Sequence, residues 1–510
     1  MHEVVATVQA DLDGAVDALR GLPDGVTLAE VRLDALWPKP PEPEEAADEL
    51  LALRDATATR LLATLRPTRE GGRFDGPEDV RIGLLVAARQ AGFDLVDLEL
   101  PEGPAGPFLE AVSRALGGRD YVLSRHAPRP PGCRDDALTP LLAMADNHAR
   151  YDKLAFPSHS FLDDMRALEA ARLHAARGGR PCVSTLSSTE PAMLRALAAV
   201  VGNHATYGHA PGLPPAVPGQ PSIADVLAVW RHWGLLPEDL ADHGRPLRNW
   251  LAVIGNPVAG SLSPRLHNAA FRAAGRPERY AALTVPASTS ALRLAFTALP
   301  RLGLVGASVT YPHKADAARM ATCDAVATAV GAVNQVRFAP DGAAQATNTD
   351  ATALRDILRG HVDAGTKVLI LGAGGAARAA LWAAAGLGAR PRFASREATR
   401  SSQAARLGDR LPWDDLPTAR ADIWIQATTI GLQAGDPLAA KPNGARLALE
   451  LNYKGGETRF AAAARAGGAT LVDGRAIVLE QAVHAQRFWF GRDPDRKAME
   501  TVLAPQEVPA

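Results

Sequence analysis

The sequence predicts an α/β protein in two parts: an N-terminal (β/α)8 barrel, then a mixed sheet followed by a doubly wound parallel sheet. Three observations predict it. Short apolar runs separated by alanine- and leucine-rich helical stretches recur at residues 4–8, 28–33, 61–65, 95–100, 121–123, 153–156, 182–186 and 205–207. Strands alternating with helices over roughly 220 residues give the size of a compact TIM barrel; the last run is weak, so the eighth strand is an inference. Between 251 and 349 the alternation continues, and "FAPDGAAQ" carries an Asp-Gly hairpin signal that calls for an antiparallel pair. From 367 onward the order is βαβ: "KVLIL", a glycine-rich turn, an alanine-rich helix and "RPRFA", then later strands at "ADIWIQA" and "ARLALEL".

The pieces between these elements read as connections. "WPKPPEPEE" and "PGLPPAVPGQPS" are loops. "IADVLAVWRHWGLL" is an amphipathic helix, and "PEDLADHGRP" after it reads as a linker. With 55 Lys and Arg against 56 Asp and Glu in 510 residues, no global field favours nucleic acid and no basic tract favours a membrane surface. A small-molecule ligand fits better. Cys133, Cys182 and Cys323 lie far apart without metal-ligand spacing and read as small buried hydrophobes, with no metal site expected. The N-terminus enters an apolar strand pattern at once, which fits a cytoplasmic protein.

Two stretches carry chemistry. "ARYDKLAF" puts Lys153 inside an apolar run, where alternation sends Tyr151, Lys153 and Ala155 to one face and Leu154 and Phe156 to the other. The segment alone also suits a strand-end lysine that snorkels to water. "VLILGAGGAARAA" sets Gly372, Gly374 and Ala377 in a G-x-G-x-x-A pattern between strand and helix, the Rossmann-type arrangement for a dinucleotide pyrophosphate at a helix N-terminus. Ser395 and Arg396 end the next strand and Arg400 follows a turn later, so two guanidinium groups suit a 2′-phosphate; Glu397 between them opposes it.

Residues 251–491 resemble shikimate dehydrogenase. The motifs are "VIGNPVAGSLSPRLHN", "GASVTYPHK", "GAVNQV", "NTD", "GAGGAARA", "ELNYKGGET" and "DGRAIVLEQA". The resemblance implies Lys314 and Asp350 as the catalytic pair, and Ser261, Ser263, Thr310, Asn334, Tyr453 and Gln481 as substrate contacts. It implies NADP held by Gly372, Gly374, Gly375, Ala376, Ser395, Arg396, Arg400 and Gly474. Ketone reduction needs a cation at the developing alkoxide and a carboxylate to fix that cation, which suits a Lys–Asp pair. The chain departs from the family pattern at Ala351, Gln426 and the Ser395–Glu397 stretch.

Residues 4–223 resemble type I 3-dehydroquinate dehydratase through "AEVRLD", "LRPTREGG", "SRHA", "YDKLAF" and "PGQ". The resemblance implies Lys153 as the Schiff-base lysine and His126 as the acid/base group, with Glu30, Arg32, Arg66, Glu70, Arg195 and Gln220 as substrate contacts. Partial burial beside other cations is expected to discharge the amine. Ala127, "PRPPGC" and Ala216 in the lid loop depart from the family.

The two resemblances together imply a bifunctional chain that converts 3-dehydroquinate through 3-dehydroshikimate to shikimate with NADPH. Rival readings are a quinate/shikimate dehydrogenase joined to a catabolic dehydratase, or a quinate-sensing regulator. The implied domains are a barrel at 1–225, a helical segment and linker at 226–249, a substrate-binding domain at 250–350, a Rossmann domain at 351–495 whose last helices return to the substrate domain, and a tail at 496–510.

Overall fold

The computed structural model describes residues 2–37, 39–101, 105–118, 120–145, 147–187, 190–240, 249–396, 398–430, 440–453 and 457–504. The chain divides into two compact units, Met1–Trp250 with Arg301–Gly303, and Leu251–Pro300 with Leu304–Ala510.

The first unit is an eight-stranded parallel sheet. Its strands are β1 (Glu3–Val8), β2 (Leu28–Arg32), β3 (Arg60–Thr64), β4 (Leu95–Glu99), β5 (Tyr121–His126), β6 (Asp152–Ser158), β7 (Pro181–Ser187) and β8 (Ala205–His209), ordered β7-β6-β5-β4-β3-β2-β1-β8. At the seam between β7 and β8 the Asn203 amide accepts from Val183 N–H at 3.1 Å and donates to Val183 C=O at 2.8 Å, and His204 N–H donates to Pro181 C=O. The weak eighth run is therefore a full strand, its pairing completed by a side chain.

Alternation along the strands stacks the barrel interior in layers. Val5, Leu28, Leu62, Leu95, Val122, Tyr151, Cys182, Ala205 and Tyr207 form one apolar cluster. Two residues further along come Thr7, Glu30, Thr64, Asp97, Ser124, Lys153 and Ser184, all buried and all polar. A dry floor thus lies beneath a polar layer at the C-terminal half of the strands, the end where active sites sit in this fold. The opposite strand faces pack on helices: Leu154 and Phe156 meet Leu138, Leu141, Ala167 and Ala171.

Helix Ile223–Trp233 is part of this unit's packing, because Trp230 is buried and its Nε1–H donates to Ala196 C=O at 3.1 Å. Most of the linker expected after it, residues 241–248, lies outside the described residues. Cys182 is buried as expected, but Cys133 is exposed, because it ends a proline-rich loop and donates its N–H to Asp136 at the start of a helix.

The second unit holds two sheets. The first has β9 (Trp250–Gly255), β10 (Arg279–Thr284), β11 (Leu304–Val309), β12 (Thr322–Cys323), β13 (Gln335–Phe338) and β14 (Ala344–Thr347) in the order β10-β9-β11-β13-β14-β12. β13 and β14 are the antiparallel hairpin that the Asp-Gly turn predicts. The second sheet has β15 (Val368–Leu371), β16 (Arg392–Ala394), β17 (Asp409–Leu411), β18 (Ile423–Gln426), β19 (Leu447–Glu450) and β20 (Thr470–Val472), all parallel, in the order β17-β16-β15-β18-β19-β20. Strand order reverses beside β15, the switch point at which open α/β sheets bind ligands.

Alanine makes the packing around that point close. Ala377, Ala380 and Ala384 of helix Gly375–Gly386 are fully buried against the core. Helix Gly474–Phe490 runs back to the first sheet, where Trp489 Nε1–H donates to Val336 C=O at 3.0 Å. The segment expected as a tail begins with helix Arg496–Leu503, whose Met499 is buried against Leu266 and Leu479. An apolar residue facing an uncovered patch turns these residues into structure.

Candidate active sites

In the barrel, Lys153 lies in the polar layer with 5 % exposure. Its Nζ donates to Glu30 Oε1 at 2.9 Å and to Asp97 Oδ2 at 3.2 Å, and stands 4.1 Å from the centre of the Tyr207 ring. The cations expected beside this amine are not what touches it: its contacts are two carboxylates. The nearby Arg66 guanidinium is itself taken up by Asp97 at 3.0 Å and Glu99 at 2.8 Å. Burial opposes charge on Glu30 and Asp97, but Lys153 for the first, and Arg66 with Lys153 for the second, outweigh it and hold both carboxyls below their usual range. Glu30 also accepts from Thr7 at 2.8 Å, and Thr7 accepts from Gln220 at 3.1 Å. Gln220 in turn takes the backbone N–H of Ala216 at 3.0 Å, so the lid loop is tied down by main chain where it lacks a serine.

His126 and Glu70 form a pair on the same side. Glu70 Oε2 accepts the His126 backbone N–H at 2.9 Å and lies 3.2 Å from Nδ1. Burial, helped by the Glu99 charge, pushes the Glu70 carboxyl up to about 7. Burial, then the Arg66 and Lys153 charges, depress His126 well below its ordinary value. Its imidazole is therefore neutral near pH 7, and with Nδ1 turned to Glu70 it leaves Nε2 for the pocket. Ala127 packs against the helix cluster outside the barrel.

Arg32 is bound bidentately by Asp34, both contacts at 2.8 Å. Arg195 differs. It is 3 % exposed, it donates through Nη2 to Thr185 C=O at 2.9 Å, and its Nη1 has no partner among the described residues. Burial lowers it to about 10. A buried guanidinium with an unmet donor is a ready site for a carboxylate.

In the second unit Lys314 opens helix Lys314–Ala317 and Asp350 lies in the first turn of helix Thr349–Leu358. Their side chains meet at 2.5 Å, Nζ to Oδ2. Asn334 Nδ2 donates to the other oxygen, Oδ1, at 2.7 Å, and its Oδ1 takes the Thr349 N–H at 2.7 Å. Asn348 caps the helix at the Ala351 N–H, and Ala351, where the family pattern has glycine, is fully buried. Buried Gln335 extends the network: it donates to Thr349 at 3.2 Å and Gln481 at 3.1 Å and accepts from Ser308 at 2.9 Å. Ser261 and Ser263 are buried at the start of helix Ser263–Ala273, and Tyr453 hydrogen-bonds Ser261. Burial raises the Tyr453 phenol. Thr310 follows β11 on the loop that leads to Lys314.

The glycine-rich turn follows β15. Gly372 has φ 118°, and a Cβ there would lie 3.0 Å from Ala427 O, so only glycine fits. At Gly374, which caps helix Gly375–Gly386, a Cβ would meet nothing within 4 Å, leaving the backbone open to a ligand. A Cβ at Gly375 would be 3.5 Å from Lys314 Cδ, which sets the turn beside the catalytic candidate, with Ala376 next along the helix. At Gly474 a Cβ would lie 2.6 Å from Asn452 O, so its helix can start against the end of β19 only with glycine. Gln426 is buried and bonds Thr428 N–H at 3.2 Å and its hydroxyl at 2.9 Å, closing the loop after β18 internally. Buried Ser395 follows β16, and Arg396 stacks 5.3 Å from the Trp413 ring centre. Glu397 and the Arg400 side chain lie outside the described residues. Sequence reading missed Arg410, whose Nη2 donates to Ser395 C=O at 3.3 Å and brings another guanidinium to this strand end. It also missed Asp97 and Tyr207, although both follow from counting two residues past an apolar floor position or along the same face.

Residues 4–236 match the type I 3-dehydroquinase family, and residues 253–336 match the shikimate dehydrogenase substrate binding domain. The second half is 37 % identical over 272 residues to shikimate dehydrogenase (NADP(+)) of Anaeromyxobacter dehalogenans strain 2CP-1, covering 50 % of this chain and 95 % of that protein. Shikimate 5-dehydrogenase from Thermus thermophilus, solved with shikimate, is 31 % identical with a TM-score of 0.44, over 50 % of this chain and 97 % of that one. The dehydroquinate dehydratase and shikimate dehydrogenase from S. pombe AroM is 20 % identical with a TM-score of 0.41, over 98 % of both chains. The chain belongs to the shikimate dehydrogenase family through its second unit, and its first unit is a type I 3-dehydroquinase domain.

Proposed function

We propose that the first unit dehydrates 3-dehydroquinate to 3-dehydroshikimate and that the second reduces 3-dehydroshikimate to shikimate with NADPH, in the cytoplasm. The observation that carries the reading is a buried Lys153 amine in the polar layer of a barrel that also holds a neutral His126 and a guanidinium with an unmet donor. Arg195 Nη1 takes the substrate carboxylate. Lys153 yields a proton to Glu30, a carboxylate in contact with it, and its nitrogen bonds to the ketone carbon; the oxygen leaves as water with the proton Glu30 returns and one from the nitrogen, which keeps one N–H as the iminium. The iminium draws electrons from the adjacent C–H bond, and His126 Nε2 accepts that proton. The enamine then expels the β-hydroxyl, which leaves as water with the proton His126 returns, and hydrolysis of the imine frees the lysine.

In the second unit the open turn at Gly374, the helix N-terminus behind it and the guanidinium groups at the β16 end fit a phosphorylated dinucleotide. Gly372, Gly374, Gly375 and Ala376 would hold its pyrophosphate, Ser395, Arg396 and Arg400 its 2′-phosphate, and Gly474 would border the nicotinamide end. NADPH supplies the hydride when bound. The Lys314 ammonium stabilises the growing charge on the substrate oxygen and gives it a proton, while Asp350, held by Asn334, orients that ammonium. Ser261, Ser263, Thr310, Asn334, Tyr453 and Gln481 would bind the substrate's hydroxyl and carboxylate groups.

Borohydride added with 3-dehydroquinate should fix covalent mass on the peptide containing Lys153 and none on Lys153→Ala. Equal labelling of the two proteins, or none in either, overturns the imine. Shikimate formed from 3-dehydroquinate and NADPH by the one chain tests both units together.

A further inference from the structure

We infer that Tyr207 is a catalytic residue of the first unit, its ring face completing a cage around Lys153 Nζ that stabilises the protonated imine. The inference rests on the imine reading above. Tyr207 sits on β8 with its side chain in the barrel interior, and its ring centre is 4.1 Å from Nζ. An ammonium has three N–H bonds. Glu30 at 2.9 Å and Asp97 at 3.2 Å accept two of them, and the negative face of the ring stands at the third side.

The ring is fixed there. Its hydroxyl shares a 2.5 Å hydrogen bond with that of Tyr151, the rings meet edge to face at 6.3 Å, and the two residues are 4 % and 0 % exposed. Burial pushes both phenols well above their ordinary value, so each remains a neutral phenol.

What separates Tyr207 from the carboxylates is the bonding of the nitrogen after reaction. The protonated imine nitrogen is bonded to lysine Cε and to a substrate carbon, and keeps one N–H. Only one of Glu30 and Asp97 can then hydrogen-bond it. A ring face needs no N–H and continues to attract the charge, which the neutral amine lacks. The contact therefore favours the iminium, the species that acidifies the neighbouring C–H, over the amine that precedes it.

Tyr207→Leu removes the ring face and keeps an apolar side chain, whereas Tyr207→Phe keeps the face and loses the hydroxyl. We expect dehydration kcat to fall roughly 5- to 30-fold in the leucine variant, the range of a desolvated cation–π contact, with KM nearly constant and the phenylalanine variant close to wild type. Thermal unfolding of the full chain, followed by circular dichroism, reports whether the barrel unit remains intact. If the leucine variant does not fold, mono-, di- and trifluorinated phenylalanine at 207 weaken the ring face at nearly constant shape, and kcat should fall step by step. The inference is overturned by wild-type kcat in the leucine variant, by an equal loss in the phenylalanine variant, by a change in KM alone, or by a flat fluorine series. A wild-type protein that borohydride does not label removes the imine itself and the inference with it, a result distinct from the others.

Discussion

Glu70 should set the acid limb of dehydration, and Glu70→Gln should remove it. The carboxyl is pushed up to about 7 by burial and the Glu99 charge, and His126 is held well below its own ordinary value, so Glu70 is the group of the pair that takes up a proton as pH falls. Above pH 7 the ionised carboxylate accepts from Nδ1, and Nε2 keeps its lone pair for the substrate C–H. Below pH 7 a protonated Glu70 donates to Nδ1, which forces the hydrogen onto Nε2 and removes the base. Activity is thus present above about pH 7 and falls about tenfold per unit below it. The side-chain amide that Glu70→Gln introduces cannot ionise. It can still accept the His126 backbone N–H and Nδ1–H, but without charge assistance, a loss of roughly 1.5 to 3 kcal/mol, or about 10- to 150-fold in kcat at pH 8.5. Because the wild type loses activity toward acid and the variant does not, the two rates should converge, near pH 6 for a roughly tenfold loss and near pH 5 for a roughly 150-fold one. Following the conjugated enone product by its ultraviolet absorbance from pH 5.5 to 9 gives both profiles. A wild-type rate that is flat across pH 7, or a variant that keeps the limb, refutes the assignment.

Lys314→Ala and Asp350→Asn should each lower reduction at least roughly 100-fold while dehydration stays within twofold, because the pair lies in the second unit and the Lys153 site in the first. Loss of both activities in a folded variant would contradict separate sites. Arg396→Ala should weaken NADPH about 10-fold or more and NADH little, since the guanidinium stacked on Trp413 is held for a phosphate rather than a ribose hydroxyl. Steady-state KM values for the two cofactors decide it, and an equal loss for both would assign the ribose to Glu397.

The barrel was legible because its signal is repetitive: apolar runs at a regular spacing define strands even where one run, at 205–207, is weak. What a run cannot display is how its sheet closes, and here a side chain outside any strand, Asn203, finishes the seam. Two of the three-residue strands were not legible either. β17 and β20 carry too few residues to show a period, yet β17 delivers Arg410 to the cofactor end. Glu70 was read as a substrate contact, and its partner His126 lies 56 positions away in sequence, a distance no local pattern bridges.

Lys153 shows where motif reading stops and geometry begins. The strand pattern correctly turned it inward, but the charge around it was inferred from the cations in neighbouring motifs. Arg32 and Arg66 are present, yet each is claimed by a carboxylate, Asp34 in one case and Asp97 with Glu99 in the other. Those acids were invisible as a group because Asp97 and Glu99 lie on β4 and Asp34 in the short helix Leu33–Leu36 after β2, and only the pairing of the strands brings them beside Arg32 and Arg66. The consequence is chemical. Lys153 Nζ lies against Glu30 and Asp97, so its use as a nucleophile requires that a proton pass to Glu30 or that these contacts open to admit substrate. Glu30 is tied through Thr7 to Gln220 on the lid loop. Movement of that loop over a bound substrate would therefore alter the hydrogen bonds of the same carboxylate that receives the lysine's proton, coupling closure of the site to activation of its nucleophile.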